Sequence, residues 1–268
     1  MKCFFSQFTI FAKTTILNMN NHKIYGLLGF PLIHSFSRNY FNQKFISEGI
    51  DAEYVNFEID DINKIMEVLS EYHEICGLNV TIPYKEQVIP FLDEIDDDAA
   101  QIGAVNVIKI KKDDKNLVLK GYNTDVIGFC DSLKPMLNSE VHKKALVLGT
   151  GGAAKAVAYG LRKLGIEPTF VSRRKSAATL TYEELTKSTI NEHKIIVNTT
   201  PLGMYPKVSE SPDIPYRFIT GLHICYDLIY NPDETMFLKK SREMGATVKN
   251  GLEMLLLQAF KSYEIWNS

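Results

Sequence analysis

The chain has 268 residues, of which 45% are apolar and 23% charged, and its net charge is −2. That length and balance suit a soluble globular protein with two α/β domains, each with its own core. They give no electrostatic case for nucleic acid or an anionic membrane as partner, and no run approaches the roughly 18 apolar residues of a membrane span. Cys3, Cys76, Cys130 and Cys225 form no C-x-x-C pair and read as reduced thiols of a cytoplasmic protein. Neither H-E-x-x-H nor a Cys/His cluster points to a metal.

Residues 1–22 carry Phe4, Phe5, Phe8, Ile10 and Phe11, but Ser6, Gln7 and Lys13 interrupt the run and no small-residue cleavage site follows. They read as a flexible extension, or as a start assigned upstream of Met19, rather than as a signal peptide. Lys23–Gly29 then reads as a strand ending at Phe30-Pro31, and Phe36–Ser47 as a helix stopping at Gly49. Glu53–Glu58 has strand alternation. Ile62–Leu69 has helical spacing, with Asp60 and Asp61 as candidate caps. Leu78–Ile82 reads as a short buried strand ending at Pro83, and Val105–Ile110 with Leu117–Gly121 as a hairpin around the charged turn Lys111–Lys115.

Thr124–Leu133 starts a helix that crosses to a second domain. Further along, Ile195–Asn198 and His223–Asp227 read as strands, and Glu234–Met244 and Leu252–Trp266 as helices. The expected architecture is α/β with two domains. An N-terminal α/β substrate domain over 23–123, completed by a C-terminal helix at 251–268, joins a Rossmann-type domain over 124–250, with a crevice between them.

The stretch from Ala145 to Arg174 carries the most chemistry. A strand, Ala145–Leu148, meets Gly149-Thr150-Gly151-Gly152-Ala153-Ala154. A helical pattern follows through Ala156, Val157, Leu161 and Leu164 to Gly165, and a second strand runs over Thr169-Phe170-Val171. In such a G-x-G-x-x-A corner, Gly149 permits the tight turn, Gly151 lets backbone N–H groups approach a pyrophosphate, and Ala154 keeps helix and strand close. The helix N-terminus adds unpaired donors and partial positive charge. Where NAD-binding chains place a carboxylate for the ribose hydroxyl, this chain has Ser172, Arg173, Arg174 and Lys175. Charge-assisted bonds to a 2′-phosphate are worth roughly 1.5–3 kcal/mol each, so the sequence reads as NADP(H). The alternative is a solvated basic turn beside a corner that only packs tightly.

Small polar groups mark several strand ends in the first half: His34-Ser35-Phe36-Ser37, Asn79-Val80-Thr81, Lys85, Asn106 and Asn123-Thr124-Asp125. Strand alternation puts Asn79 and Thr81 on one face. Hydroxyls and amides of this kind suit a small polyhydroxylated substrate, although Asn and Ser are also ordinary turn formers. No carboxylate near His34-Ser35 completes a hydrolase-like set, and the other histidines are scattered, as surface or structural residues are.

Gly77-Leu-Asn79-Val-Thr81-Ile-Pro83-Tyr-Lys85, Gly103-Ala-Val-Asn106, Gly121-Tyr-Asn123-Thr-Asp125, Gly149-Thr-Gly-Gly-Ala153, Asn198-Thr-Thr-Pro-Leu-Gly-Met204 and Asn250-Gly-Leu-Glu-Met254-Leu-Leu-Leu-Gln258 stand in one order along the chain. Together they resemble the shikimate dehydrogenase family from Lys23 to Trp266. The resemblance implies reversible NADPH-dependent reduction of 3-dehydroshikimate to shikimate, in aromatic amino-acid biosynthesis, by a monomer or homodimer. It implies Lys85 and Asp125 as the catalytic pair. It implies Ser35, Ser37, Asn79, Thr81, Lys85, Asn106, Asp125, Gln258 and, at the edge, Tyr230 as substrate contacts. It assigns Gly149, Gly151, Gly152, Ala153, Ser172, Arg173 and Arg174 to NADP, Thr199 along the cofactor, and Gly251 and Met254 near the nicotinamide.

In that light Asp125 has two compatible roles, substrate contact and helix cap. Arg38 stands where many relatives have proline, Lys155 where some have arginine, and the chain ends ten residues after Gln258. Three other readings compete. An NAD-using quinate/shikimate dehydrogenase would carry an acidic residue at the ribose position and threonine at Ser37. A silent NADP-binding sensor would lack Lys85 or Asp125. A different two-domain dehydrogenase would leave Ser35, Asn79 and Asn106 unexplained.

Overall fold

The computed structural model describes residues 22–32, 36–113 and 116–268. His34, Ser35, Cys3, the N-terminal extension to residue 21 and the tip of the charged turn lie outside the described residues. Contacts divide the chain into two compact units. One holds the described residues up to Ile95, with Val105–Tyr122 and Ser268; the other holds Asp96–Ala104 and Asn123–Asn267.

The first unit is built on β1 (Lys23–Gly29), β2 (Ala52–Glu58), β3 (Ile75–Val80), β4 (Glu94–Ile95), β5 (Val107–Asp113) and β6 (Asn116–Tyr122), in the order β2-β1-β3-β5-β6-β4. β1 pairs parallel with β2 and β3, whereas β3–β5 and the expected β5–β6 hairpin are antiparallel. The sheet is therefore mixed. Helices α1 (Phe36–Glu48) and α2 (Ile65–Glu71) follow β1 and β2. Phe41 and Phe45 of α1 are buried, with Phe41 stacked on Tyr54 of β2 at 4.8 Å between ring centroids. The expected helix at 62–69 is instead one 3₁₀ turn, Ile62–Lys64, leading into α2. Asp61 caps that turn by accepting from the Asn63 N–H.

β3 ends at Val80, earlier than the sequence suggests. The Thr81 N–H still bonds the Leu28 carbonyl at 2.9 Å, but the chain then turns, with the Tyr84 N–H on the Thr81 carbonyl. Thr81 is thus a turn residue, not the continuation of a strand face.

The second unit contains α3 (Asp97–Ile102), α4 (Asp125–Leu133), β7 (Lys144–Leu148), α5 (Gly152–Lys163), β8 (Glu167–Ser172), β9 (Thr179–Thr181), α6 (Lys187–Glu192), β10 (Ile195–Asn198), β11 (Ile224–Asp227), α7 (Met236–Glu243), β12 (Thr247–Lys249) and α8 (Leu252–Asn267). Its sheet runs β12-β11-β10-β7-β8-β9, and each named pair is parallel. This is the doubly wound order, with the switch point between β7 and β10. The central strands are apolar along their length, as strands covered on both faces must be. Ala145 and Val147 lie in one core cluster, and Leu146 and Leu148 in the other.

The last helix departs from the expected domain boundaries, because α8 groups with the second unit. Packing explains it. The Thr124 and Ser262 hydroxyls are 3.2 Å apart, and a Cβ built on Gly128 of α4 would lie 2.5 Å from the Met254 carbonyl of α8. α3 joins the same unit through Asp98, which accepts from the Tyr159 hydroxyl and the Lys163 ammonium of α5, each at 2.7 Å.

His142, His193 and His223 are buried, and each uses both ring nitrogens on neighbouring backbone or on Thr169, which marks them as structural. Cys76, Cys130 and Cys225 are free thiols, and burial pushes the last two up to about 11 and about 12. Among the described residues no helix is long and apolar enough to cross a membrane.

The Gly128 contact sets the spacing of α4 and α8. Alanine there gains helix propensity of just under 1 kcal/mol but meets a backbone carbonyl that cannot swing away. We expect Gly128→Ala to destabilise the chain by about 1–3 kcal/mol in urea unfolding.

Candidate functional site

In the first unit the polar groups gather where the carboxyl ends of β1 and β3 meet the start of β5. The parallel β1–β3 and antiparallel β3–β5 pairings bring those three points together. The Val80 N–H donates to the Asn106 carbonyl at 2.8 Å, and the Asn106 N–H to the Tyr122 carbonyl at 3.0 Å. Asn79 and Asn106 are both buried, and Asn79 Nδ2 lies 3.4 Å from the Asn106 carbonyl. Asn79 Oδ1 accepts from the Tyr54 hydroxyl at 2.8 Å. The Ser37 hydroxyl in turn bonds the Tyr54 oxygen, so one chain of hydrogen bonds runs from α1 through β2 to β3.

Tyr54 has no place among the residues expected from sequence, yet it fixes Asn79. It is fully buried, which drives its phenol far above the ordinary tyrosine range and keeps it a neutral donor. Its backbone is clamped by Asn42, whose amide accepts from the Tyr54 N–H and donates to the Tyr54 carbonyl. The available signal was a tyrosine inside an alternating run, needing a polar partner once buried.

Thr81 packs on Gly29, where a Cβ would come within 2.4 Å of Thr81 Cγ2. Lys85 is half-buried in the turn that follows, and its carbonyl accepts from the Val105 N–H at 2.7 Å. Beside it, the buried Tyr84 donates to the Ile59 carbonyl at 2.6 Å. The backbone that carries Lys85 is therefore tied to the segment that carries Asn106. The structure brings Ser37, Asn79, Thr81 and Asn106 to one end of this sheet, with Lys85 on the adjoining turn.

The second unit carries the remaining residues. Asp125 is buried at the first position of α4. The cap bond there comes from Asn123, whose Oδ1 accepts from the Val126 N–H while its Nδ2 holds the Ala104 carbonyl. Asp125 is thus not the cap. Gln258 of α8 is buried against Gly128 and donates to the Leu255 carbonyl at 2.8 Å. Tyr230 follows β11, half-buried, with its phenol pushed up by that burial.

At the switch point the glycine corner has the geometry its sequence implies. Gly149 has φ +115°, a conformation that side chains resist. A Cβ on it would lie 2.6 Å from Thr199 Oγ1, beyond the end of β10. Thr199 is held by donating its N–H and its hydroxyl to the Leu148 carbonyl, at 3.0 and 2.6 Å. Gly151 is exposed, and a Cβ there would meet no protein atom within 4 Å, so packing does not account for glycine at that position. Gly152 and Ala153 open α5, and Ala154 is buried in the core.

Past β8, the Ser172 hydroxyl accepts from the Arg174 N–H at 3.2 Å and shapes an exposed turn. Lys175 pairs with Glu184, whereas Arg173 and Arg174 make no ion pair among the described residues. Gly251 is buried, and a Cβ there would sit 2.0 Å from the Leu228 carbonyl. Met254 is only 7% exposed and belongs to the core beside Tyr226 and Phe129. Among the described residues no cluster of His, Cys, Asp and Glu could hold a metal ion.

Alanine at Gly149 combines unfavourable φ with a clash against Thr199, a cost of about 1–3 kcal/mol. We expect Gly149→Ala to weaken dinucleotide binding by about tenfold or more in a direct titration, because Thr199 or the corner must move.

A family model described as the shikimate dehydrogenase substrate binding domain matches residues 27–108. A shikimate dehydrogenase (NADP(+)) from Caldanaerobacter subterraneus is 38% identical over 266 residues, covering 91% of each chain. The crystal structure of shikimate dehydrogenase from Aquifex aeolicus superposes with a TM-score of 0.80 at 36% identity, covering 91% of this chain and 92% of that one. The Thermus thermophilus shikimate 5-dehydrogenase, solved in complex with NADP(H) and shikimate, matches with a TM-score of 0.78 at 30% identity, over 91% and 93% of the two chains. A glycine corner at the switch point, a ring of amides and hydroxyls around Asn79, and this similarity along nine-tenths of the sequence lead to one assignment: the chain belongs to the shikimate dehydrogenase family.

Proposed function

We propose that the chain catalyses the reversible, NADP-dependent reduction of 3-dehydroshikimate to shikimate, with Lys85 and Asp125 as its acid–base pair. The observation that carries this reading is that both are present in a chain of this family, on rigid supports: Lys85 on a turn pinned to Val105, and Asp125 at the head of a helix capped by Asn123. Ser35, Ser37, Asn79, Thr81, Asn106 and Gln258 are the substrate's hydrogen-bonding partners in this reading, with Tyr230 at its edge.

The second unit fits a dinucleotide. Gly149, Gly151, Gly152 and Ala153 would hold the pyrophosphate at the N-terminus of α5, and the open space over Gly151 supports that use. Ser172, Arg173 and Arg174 would hold a 2′-phosphate, the two guanidiniums being uncommitted to carboxylates. Thr199 would lie along the cofactor, and Gly251 and Met254 by the nicotinamide. For Met254 this means the edge of a core residue, because its side chain is buried.

When bound, the reduced nicotinamide supplies a hydride to the ketone carbon. The ketone oxygen then gains negative charge, which the Lys85 ammonium stabilises and neutralises with a proton. Asp125 accepts from a substrate hydroxyl in this reading. In the oxidative direction the same lysine takes the proton back, a task that an amine can perform and a guanidinium cannot. The scattered free thiols fit our reading of a cytoplasmic enzyme, acting as a monomer or homodimer.

The test is steady-state oxidation of shikimate and of quinate, each with NADP⁺ and with NAD⁺. Shikimate with NADP⁺ is the expected preferred pair, and a preference for quinate with NAD⁺ overturns the reading. Lys85→Ala is expected to lower turnover by about 10²–10⁴-fold while NADP⁺ binding persists.

A further inference from the structure

Asp227 ends β11 with its side chain fully buried. Its Oδ1 accepts from the Ile229 N–H at 3.0 Å and from Asn198 Nδ2 at 3.1 Å, and its Oδ2 from the Thr235 hydroxyl at 2.6 Å. Asn198, equally buried at the end of β10, has a complete set of partners. Its Nδ2 also faces the Leu202 carbonyl at 3.4 Å, and its Oδ1 accepts from the Thr200 N–H and hydroxyl at 3.0 and 2.6 Å. A flipped amide would set NH₂ against the Thr200 N–H, so only one orientation works.

This carboxylate reaches two segments at once. Through Asn198 it sets the Thr199–Thr200 segment, where Thr199 lies against Gly149. Through the Ile229 N–H it sets the segment whose Ile229 carbonyl accepts from the Gly251 N–H at 3.0 Å, and against which Gly251 is packed. We propose that Asp227 is a positioning residue for the dinucleotide, its ionised carboxylate holding in register the two segments that carry Thr199 and Gly251. The inference rests on the reading of those two residues as cofactor contacts.

Burial raises the Asp227 carboxyl to about 6, and the Thr235, Ile229 and Asn198 donors oppose that rise. Acid therefore neutralises it within an accessible range. A proton on Oδ1 would face two donors, so it must sit on Oδ2 against the Thr235 hydroxyl, which already accepts from the Leu238 N–H. Of the other groups nearby, Tyr216 feels the Asp227 charge but is pushed far upward by burial, Cys225 stands at about 12, and Lys240 lies over the Tyr216 ring. Neither Tyr216 nor Cys225 titrates near Asp227.

The experiment measures NADP⁺ binding by direct titration, and KM for both substrates, in the full-length chain and in Asp227→Asn. The expected result is a rise of about tenfold in Kd and KM for NADP⁺ with KM for shikimate little changed. The wild-type KM for NADP⁺ should also climb as pH falls through about 6 by more than protonation of the NADP⁺ 2′-phosphate accounts for, and the variant should lack that added limb. Equal NADP⁺ binding in the two proteins, or the added limb retained by the variant, makes Asp227 merely structural and overturns the inference alone. A wild-type chain that binds no NADP⁺ overturns the proposed function as well. If Asp227→Asn does not fold, Thr235→Ser, which keeps the donor, should match the wild-type pH limb, and Thr235→Val should move it to higher pH. Coincident limbs overturn the inference.

Discussion

A backbone turn at Gly149 and the threonine lying on it organise the nucleotide half of this protein. The end of β7 must reverse into α5 within a few residues, and the end of β10 arrives beside the same point. Both fit because Gly149 takes φ +115° and has no side chain, leaving Thr199 free to close its hydroxyl onto the Leu148 carbonyl. The parallel strand order follows the same logic. With connections leaving β7 and β10 in opposite directions, their carboxyl ends form the open edge of the sheet, where unpaired helix N–H groups and glycine backbone are most exposed.

The first unit solves a different problem with a similar device. Its polar side chains lie on a mixed sheet, where an antiparallel strand begins at the end at which two parallel strands finish. Asn79 and Asn106 are buried there, and an unpaired buried amide costs 1–3 kcal/mol. Tyr54 and Ser37 meet that demand for Asn79 from behind, which locks its amide orientation. Rotamers locked from behind give a recognition surface little freedom to lose on binding.

Much of this was legible in the sequence, and the parts that were not share a cause. The βαβ corner, the hairpin and the long strands have strong local periodicity, so their positions follow from pattern alone. Asn79 and Asn106 were legible as polar residues at strand ends. Tyr54 and Asp227 were not, since each works through partners remote in the chain: Asn79 lies 25 residues from Tyr54, and Asn198 29 residues from Asp227. Thr81 was misread as a strand residue because the pattern says where apolar residues alternate, not where a turn captures the next carbonyl. The side of the molecule on which α8 packs depends on Gly128 and Ser262, two small residues whose meaning emerges only from contact. Short elements such as β4, β9 and β12 are too brief to carry a period.

The exposed turn after Ser172 has an evolutionary consequence. Arg173 and Arg174 contribute nothing to either core, and the turn is held by a backbone bond to Ser172 and by Lys175 with Glu184. Residues that folding does not depend on can be exchanged without a stability penalty. If Arg173 and Arg174 hold the cofactor as proposed, cofactor preference in this scaffold is a mutable trait, open to drift and reselection, while the buried amides and phenol around Asn79 are tied into the fold.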